Sequence, residues 1–339
     1  MNQPAKDAAL ALLFQRGPVS AADRNVFVGK LIISVLLALI GGVLALHGNV
    51  AIMIIGIIVL AASYVHAVEL QHQCLHHSAF RRAPYHRLIG IPLGLPMLVS
   101  YSHYRVRHLQ HHRYLGTMQD AEFFGFDTRQ PLSCTALLRG MFDYLRFMAV
   151  MGDVAQSAAG RWRYTLGAIS PKAHRNVQSE YRIIGGVLVI AIVATCLGFG
   201  EVIGKLWLLP LMLAVPMHFL VELPEHLGCD PDSKDVFRNT RSITGSTLST
   251  WFTNGNNLHV EHHAAMNVPM NKLRARHHVV RSEGKFVNTH YAEFYGTVLR
   301  QVVRGWRPMR GSDTRLGPGS PPQTKALVTG AEKTTSDTR

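Results

Sequence analysis

Apolar residues along this chain gather in four long runs, with polar residues filling the segments between them. The first two runs, Val26 to Leu46 and Val50 to Val68, are separated only by His47, Gly48 and Asn49. Each approaches the roughly 20 residues a helix needs to cross a bilayer, so the pair predicts a tight transmembrane hairpin. The second pair, Ile183 to Phe199 and Leu206 to Val221, is joined by a short linker of Gly, Glu and Lys. Its arms are shorter and contain Gly185, Gly186, Pro210 and Pro216, residues that lipid-embedded helices tolerate better than soluble ones. Between the hairpins, Leu88 to Ser100 is apolar but too short to span, which predicts a re-entrant or interfacial segment. Residues 137–151 set Arg139, Asp143 and Arg146 against Phe142, Leu145 and Ala149. That is the pattern of an amphipathic helix, lying either in the headgroup plane or on a cytoplasmic domain.

The predicted architecture is an all-α membrane protein with two transmembrane helical hairpins, four spans in all, and a cytoplasmic helical cap. Residues 1–25 are read as a cytoplasmic N-terminal segment and 26–300 as the membrane domain. Residues 301–339, rich in Gly, Pro, Ser, Thr and charge, predict a disordered polar tail. The polar N-terminal stretch and the long run after it do not have the form of a signal peptide.

Charge sharpens this picture. The chain is 47% hydrophobic yet carries a net charge of +14, a combination natural to a membrane protein whose Lys and Arg collect on the cytoplasmic side. If both hairpin tips face outward, Lys205 is the only one of the 35 basic residues left outside. Both termini and the long loops then fall in the cytoplasm. The basic residues are scattered and accompany no aromatic-basic motif, which argues against a nucleic-acid partner. Cys74, Cys134, Cys196 and Cys229 form no CxxC pair, so neither a disulfide framework nor a thiolate metal site is predicted.

The candidate chemistry lies in the histidines. Of 19, three groups stand out: His72-Gln-Cys-Leu-His76-His77, His108-Leu-Gln-His111-His112 and His259-Val-Glu-His262-His263. Residues three and four apart share one helix face, so each group can aim two or three imidazoles at one point. The eight donors, counting His72 and His76 from the first group, are too many for one ion and suit two. Imidazole suits iron, zinc or copper. His47, His86, His174, His277, His278 and His290 lie apart from these groups and read as ordinary packed histidines.

These three boxes, in this order and with the first closing a hydrophobic hairpin, resemble those of the membrane fatty acid desaturases and their hydroxylase and ketolase relatives. The resemblance rests on His72 to Phe80, on Tyr104 to His112 and on Asn256 to His263, and it extends over roughly residues 30–280. It implies a cytoplasmic cap holding two non-haem irons, with dioxygen as co-substrate. The further histidine that family members carry before the third box corresponds to His226. Glu222 stands where some desaturases have an Asn that reaches iron through water, so a carboxylate is expected to bind there directly or through water. Glu69, Asp120, Glu122 and Glu261 are candidates to orient the ring nitrogens, with Asp120 at a spacing familiar from the family.

The implied reaction is the oxygen-dependent introduction of a double bond into an aliphatic, fatty-acyl substrate. A hydroxylase, a ketolase or a desaturase of a polar natural product keeps the same chemistry with another outcome. A histidine-rich metal transporter is the reading from a different class, and it calls for polar ligands inside the spans. Neither a GxGxxG after a strand nor an iron–sulfur cysteine set is present. Electrons are therefore expected from an external donor, a ferredoxin, a rubredoxin or a cytochrome b5, steered to the basic face if acidic. The expected location is a bacterial plasma membrane.

Overall fold

The computed structural model describes residues 3–15, 17–120 and 132–304; Glu122 lies outside them. Helix α1 (Gln3–Phe14) precedes α2 (Ala21–Ala45). α2 starts on a capping box, in which the Ser20 side chain accepts from the Asp23 amide and the Asp23 carboxylate accepts from Ser20, so two otherwise orphaned donors are satisfied. α3 (Val50–Leu75) opens at Asn49, whose side chain accepts from the amides of Ala51 and Ile52. The polar break read from the sequence is thus a turn and a helix cap together.

α2 and α3 approach closely. A Cβ added at Gly56 would lie 2.1 Å from the Ala45 nitrogen, so only glycine lets the two backbones meet there. Their outer faces expose Ile32, Leu36, Leu39, Ile40 and Val43 from α2, and Ile54, Ile55 and Ile58 from α3. An apolar surface this continuous marks contact with something other than water.

Next come α4 (Ala83–Gly94) and a 3-10 turn, Leu95–Met97, which ends with Leu98 in the left-handed region (φ 57°). The predicted re-entrant stretch is therefore a helix followed by a reversal, held to α3 by the Gln71 amide donating to the Gly90 carbonyl at 2.8 Å. α5 (Tyr101–Tyr114) carries the second histidine box. The single amphipathic helix expected over 137–151 is instead two, α6 (Cys134–Met141) and α7 (Arg146–Ala158). The break between them is tied down by the Tyr144 hydroxyl, which donates to the Met212 carbonyl at 2.9 Å.

α8 (Pro171–Ala194), α9 (Gly200–Ile203) and α10 (Leu209–Glu222) belong to one long apolar run, which leaves helical geometry at Gly198 (φ 95°). Among the described residues, three helices are long and apolar enough to cross a membrane: Ala21–Ala45, Val50–Leu75 and the 55-residue run Pro171–Glu225. The four apolar runs of the sequence fall within these three, save Leu46, which caps α2.

The remaining elements are α11 (Val236–Asn239), β1 (Arg241–Ile243), α12 (Thr247–Phe252), α13 (His259–Ala264), α14 (His277–Glu283), β2 (Phe286–Asn288) and α15 (Tyr291–Arg304). The chain is mostly helical, at 72%, and the departure from an all-α fold is the parallel pairing of β1 with β2. This ladder places Arg241 in the interior, where its guanidinium donates to the carbonyls of Pro224 and Leu227 and to the Asn288 side chain. The strand pair thereby fixes the chain around His226. α1 covers the third box from the other side, with Leu13 buried against Val260, Val279 and Val280.

Candidate metal centre

The end of α3, the length of α5 and the short α13 meet in the interior, and the histidine boxes sit where they meet. His72, His76, His108 and His262 bring ring nitrogens within 4.8 Å of one another. The Nε2 atoms lie 2.7 Å apart for His72 and His108, 2.8 Å for His76 and His108, and 3.3 Å for His72 and His76. His112 joins the edge of this group, its Nε2 3.0 Å from that of His108 and 3.1 Å from that of His262. Two nitrogens each about 2.1 Å from a shared ion, at near-octahedral or tetrahedral angles, lie about 3.0–3.4 Å apart. A neutral imidazole has one N–H to give, so a ring of close Nε2 atoms cannot be satisfied by hydrogen bonds alone. Three of the five separations fall in that range and two lie just below it, and the donor set fits a metal ion.

A second quartet, His111, His226, His259 and His263, lies beside the first. Its Nε2 atoms are 3.3 Å apart for His111 and His263, 3.1 Å for His226 and His259, and 3.0 Å for His259 and His263. Here the opposite ring nitrogens are engaged. His111 Nδ1 donates to Asp120 at 2.9 Å, His226 Nδ1 to the Asn239 carbonyl at 3.0 Å and His259 Nδ1 to Asn256 at 3.1 Å. These bonds place the proton on Nδ1 and leave Nε2 free to face an ion. His112, at the edge of the first quartet, stacks on His263 of the second, 4.1 Å between centroids.

Burial first, and neighbouring imidazoles second, hold the ring pKa of His108, His259 and His262 well below the ordinary histidine range. His226 is brought down to about 4, mainly by burial. The rings are therefore neutral near pH 7, the form that binds metal.

All nine candidate histidines thus converge, while the carboxylates divide. Asp120 meets His111 as described. Glu261 accepts from Ser242 Oγ and His277 Nδ1 and so pins the third box to β1 and α14, with none of the nine candidate histidines as its hydrogen-bond partner among the described residues. Glu69 and Glu222 come together with His218 in a third group. Reading the sequence missed Glu225, whose Oε2 lies 3.3 Å from His259 Nε2 while Oε1 accepts from Asn256 at 2.6 Å. The one signal available for it was its position next to His226. His77 turns away with φ 54° and stacks on His86.

The described chain thus combines three helices long and apolar enough to cross a membrane with two buried histidine clusters able to hold metal. A family profile described as fatty acid desaturase matches residues 48–295, well over half of the chain. The chain belongs to the fatty acid desaturase family, and with it to a family of oxidoreductase enzymes. No curated protein matches the chain.

Proposed function

We propose that the chain is an oxygen-dependent membrane desaturase that introduces a carbon–carbon double bond into a fatty-acyl substrate at two non-haem irons, one per histidine quartet. The observation that carries this reading is the pair of adjoining quartets, each drawing ligands from the second and third boxes. Bound iron would supply the activation of dioxygen needed to oxidise an unactivated C–H bond. The protein's own residues do the rest. His72, His76, His108, His112 and His262 would hold one iron, and His111, His226, His259 and His263 the other. Asp120, the Asn239 carbonyl and Asn256 fix the ring orientations of the second quartet, and Glu225 sets a carboxylate beside it.

A cavity of about 410 Å³ is the candidate substrate site, a size within the usual small-molecule range. Val68, Leu98, Val99, Val215 and Phe219 give it apolar walls, and Tyr104, which faces the His72 ring at 6.2 Å, brings it to the first quartet. Arg107, Asp143, Arg146 and Asp153 also line it. That charged wall favours, as a second reading, an aliphatic substrate bearing a polar group. We read the break at Gly198 as the tip of a second hairpin, giving four spans. The excess of basic residues then places the metal centre on the cytoplasmic side. Exposed Arg81, Arg82 and Arg113 flank the first two boxes and suit docking of an acidic electron donor.

The test is conversion of vesicle-embedded acyl lipids by the iron-loaded protein with ferredoxin, its reductase, NADPH and oxygen, analysed by mass spectrometry. The expected product has lost two hydrogens, and replacing His111, His112, His262 and His263 with Ala abolishes it together with bound iron. Gain of an oxygen atom would move the assignment to a hydroxylase or ketolase. A preparation loaded with iron that leaves every acyl lipid unchanged would overturn the substrate class.

A further inference from the structure

Glu69, His218 and Glu222 form a group of potential ligands separate from the two quartets, with their donor atoms within 4.8 Å of one another. Glu69 precedes His72 by one turn on α3. Glu222 ends α10 one turn after His218 and four residues before His226. Glu69 thus stands about one α-helical turn, roughly 5 Å, before His72, and Glu222 is separated from His226 by the 3-10 turn Leu223–Glu225. Glu222 Oε1 lies 3.1 Å from His218 Nε2. Oε2 of Glu69 and Oε2 of Glu222 have no hydrogen-bond partner among the described residues, although these residues are only 2% and 6% exposed.

Two carboxylates withdrawn from water with an oxygen each unsatisfied are costly as anions unless a cation compensates them or they take up protons. The nearby basic side chain on the cavity wall, Arg146, acts on Glu222 through its charge at longer range, but forms no close ion pair with either carboxylate among the described residues. We infer that Glu69, His218 and Glu222 hold a third divalent transition-metal ion, distinct from those at the histidine quartets. Such an ion would take up both unpartnered oxygens and bring two carboxylates and a neutral imidazole to zero net charge. Mixed oxygen and imidazole donors suit Mn²⁺, Fe²⁺ or Zn²⁺. His218 also lines the 410 Å³ cavity, whose wall carries Asp143 and Asp153 beside Arg107 and Arg146, so the group borders that cavity.

The experiment uses the full-length detergent-purified protein, stripped of metal and titrated with Mn²⁺ alone, with bound manganese counted and its electron paramagnetic resonance spectrum recorded. The site is isolated by a His76→Ala/His259→Ala background that disables both quartets. In that background one Mn²⁺ with the spectrum of a lone ion is expected. Adding Glu69→Gln and Glu222→Gln should abolish it, and His218→Gln should weaken it about tenfold or more. No Mn²⁺ in the quartet-disabled protein would overturn the inference, as would binding unaltered by the carboxylate changes. Should the carboxylate variant fail to fold, judged by size exclusion, His218→Gln decides, and unchanged affinity in it overturns the inference. Because binding is read with the quartets disabled, failure of the di-iron reading leaves this result interpretable.

Discussion

At His111 the Asp120 carboxylate accepts a hydrogen bond from Nδ1 at 2.9 Å, which leaves Nε2 to face the other rings of the second quartet. Asp120→Ala removes that acceptor. The expected loss is about 10–100-fold in metal affinity, read by competition with a chelator of known affinity. His86 offers a residue-scale test outside the metal centre. Its Nε2 accepts from the Phe80 amide and its Nδ1 donates to the Ala83 carbonyl, so a second proton would set N–H against N–H. Burial, then neighbouring His77, lowers its pKa to about 4. An unfolded histidine titrates near about 6.5, so the unfolded chain takes up this proton first as pH falls. The stability held by His86 is thus complete above about 6.5 and drains away as pH drops toward the folded value. Hydrogen exchange at the Phe80 amide, corrected for intrinsic rate, should accelerate across that window; a flat profile would refute the assignment. The metal-facing histidines were legible because three box spacings point several rings at one place. Glu225 and the Asn239 carbonyl were not, since a buried carboxylate and a backbone oxygen leave no periodic mark in a sequence.

Between α2 and α3, one glycine sets how near the helices lie. Gly56→Val would drive a side chain into the backbone at Leu44 and Ala45, and overpacking of this kind costs roughly 1–3 kcal/mol. A lower melting temperature with metal content retained is the expected outcome. In the third box, Ser242 Oγ donates to Glu261 and accepts from the Val260 amide at 3.0 Å. Ser242→Ala leaves a buried carboxylate oxygen and an amide short of a partner, a penalty of about 1–3 kcal/mol each. Denaturant unfolding should show the loss, and Ser242→Thr, which keeps the hydroxyl, should restore most of it. The apolar runs foretold the long helices because burial in lipid demands length and uniform hydrophobicity. The strand pair β1–β2 escaped notice because each strand has only three residues and owes its form to the contacts of Arg241. The split of 137–151 was equally hidden, for it depends on a hydrogen bond to Met212 far along the chain.

Across the whole molecule, the quartets join the end of α3, the length of α5, the segment after α10 and the short α13. A ligand that binds only the folded state stabilises it by mass action, so metal should contribute to global stability. Stripping the protein with a membrane-permeant iron chelator is expected to lower its melting temperature by several degrees and to speed hydrogen exchange in α13 and α5 together. Equal melting of stripped and loaded protein would mean the histidine cluster is held by packing alone. The membership of the quartets also dictates an order of events in the cell. His262 belongs to one quartet, while His259 and His263 belong to the other. Neither centre can close while the ribosome is still short of the third box, however long the first hairpin has already resided in the membrane. On the proposed di-iron reading, metallation would be a late step of biogenesis, and a chain stalled before residue 259 would lack a complete set of ligands for either iron.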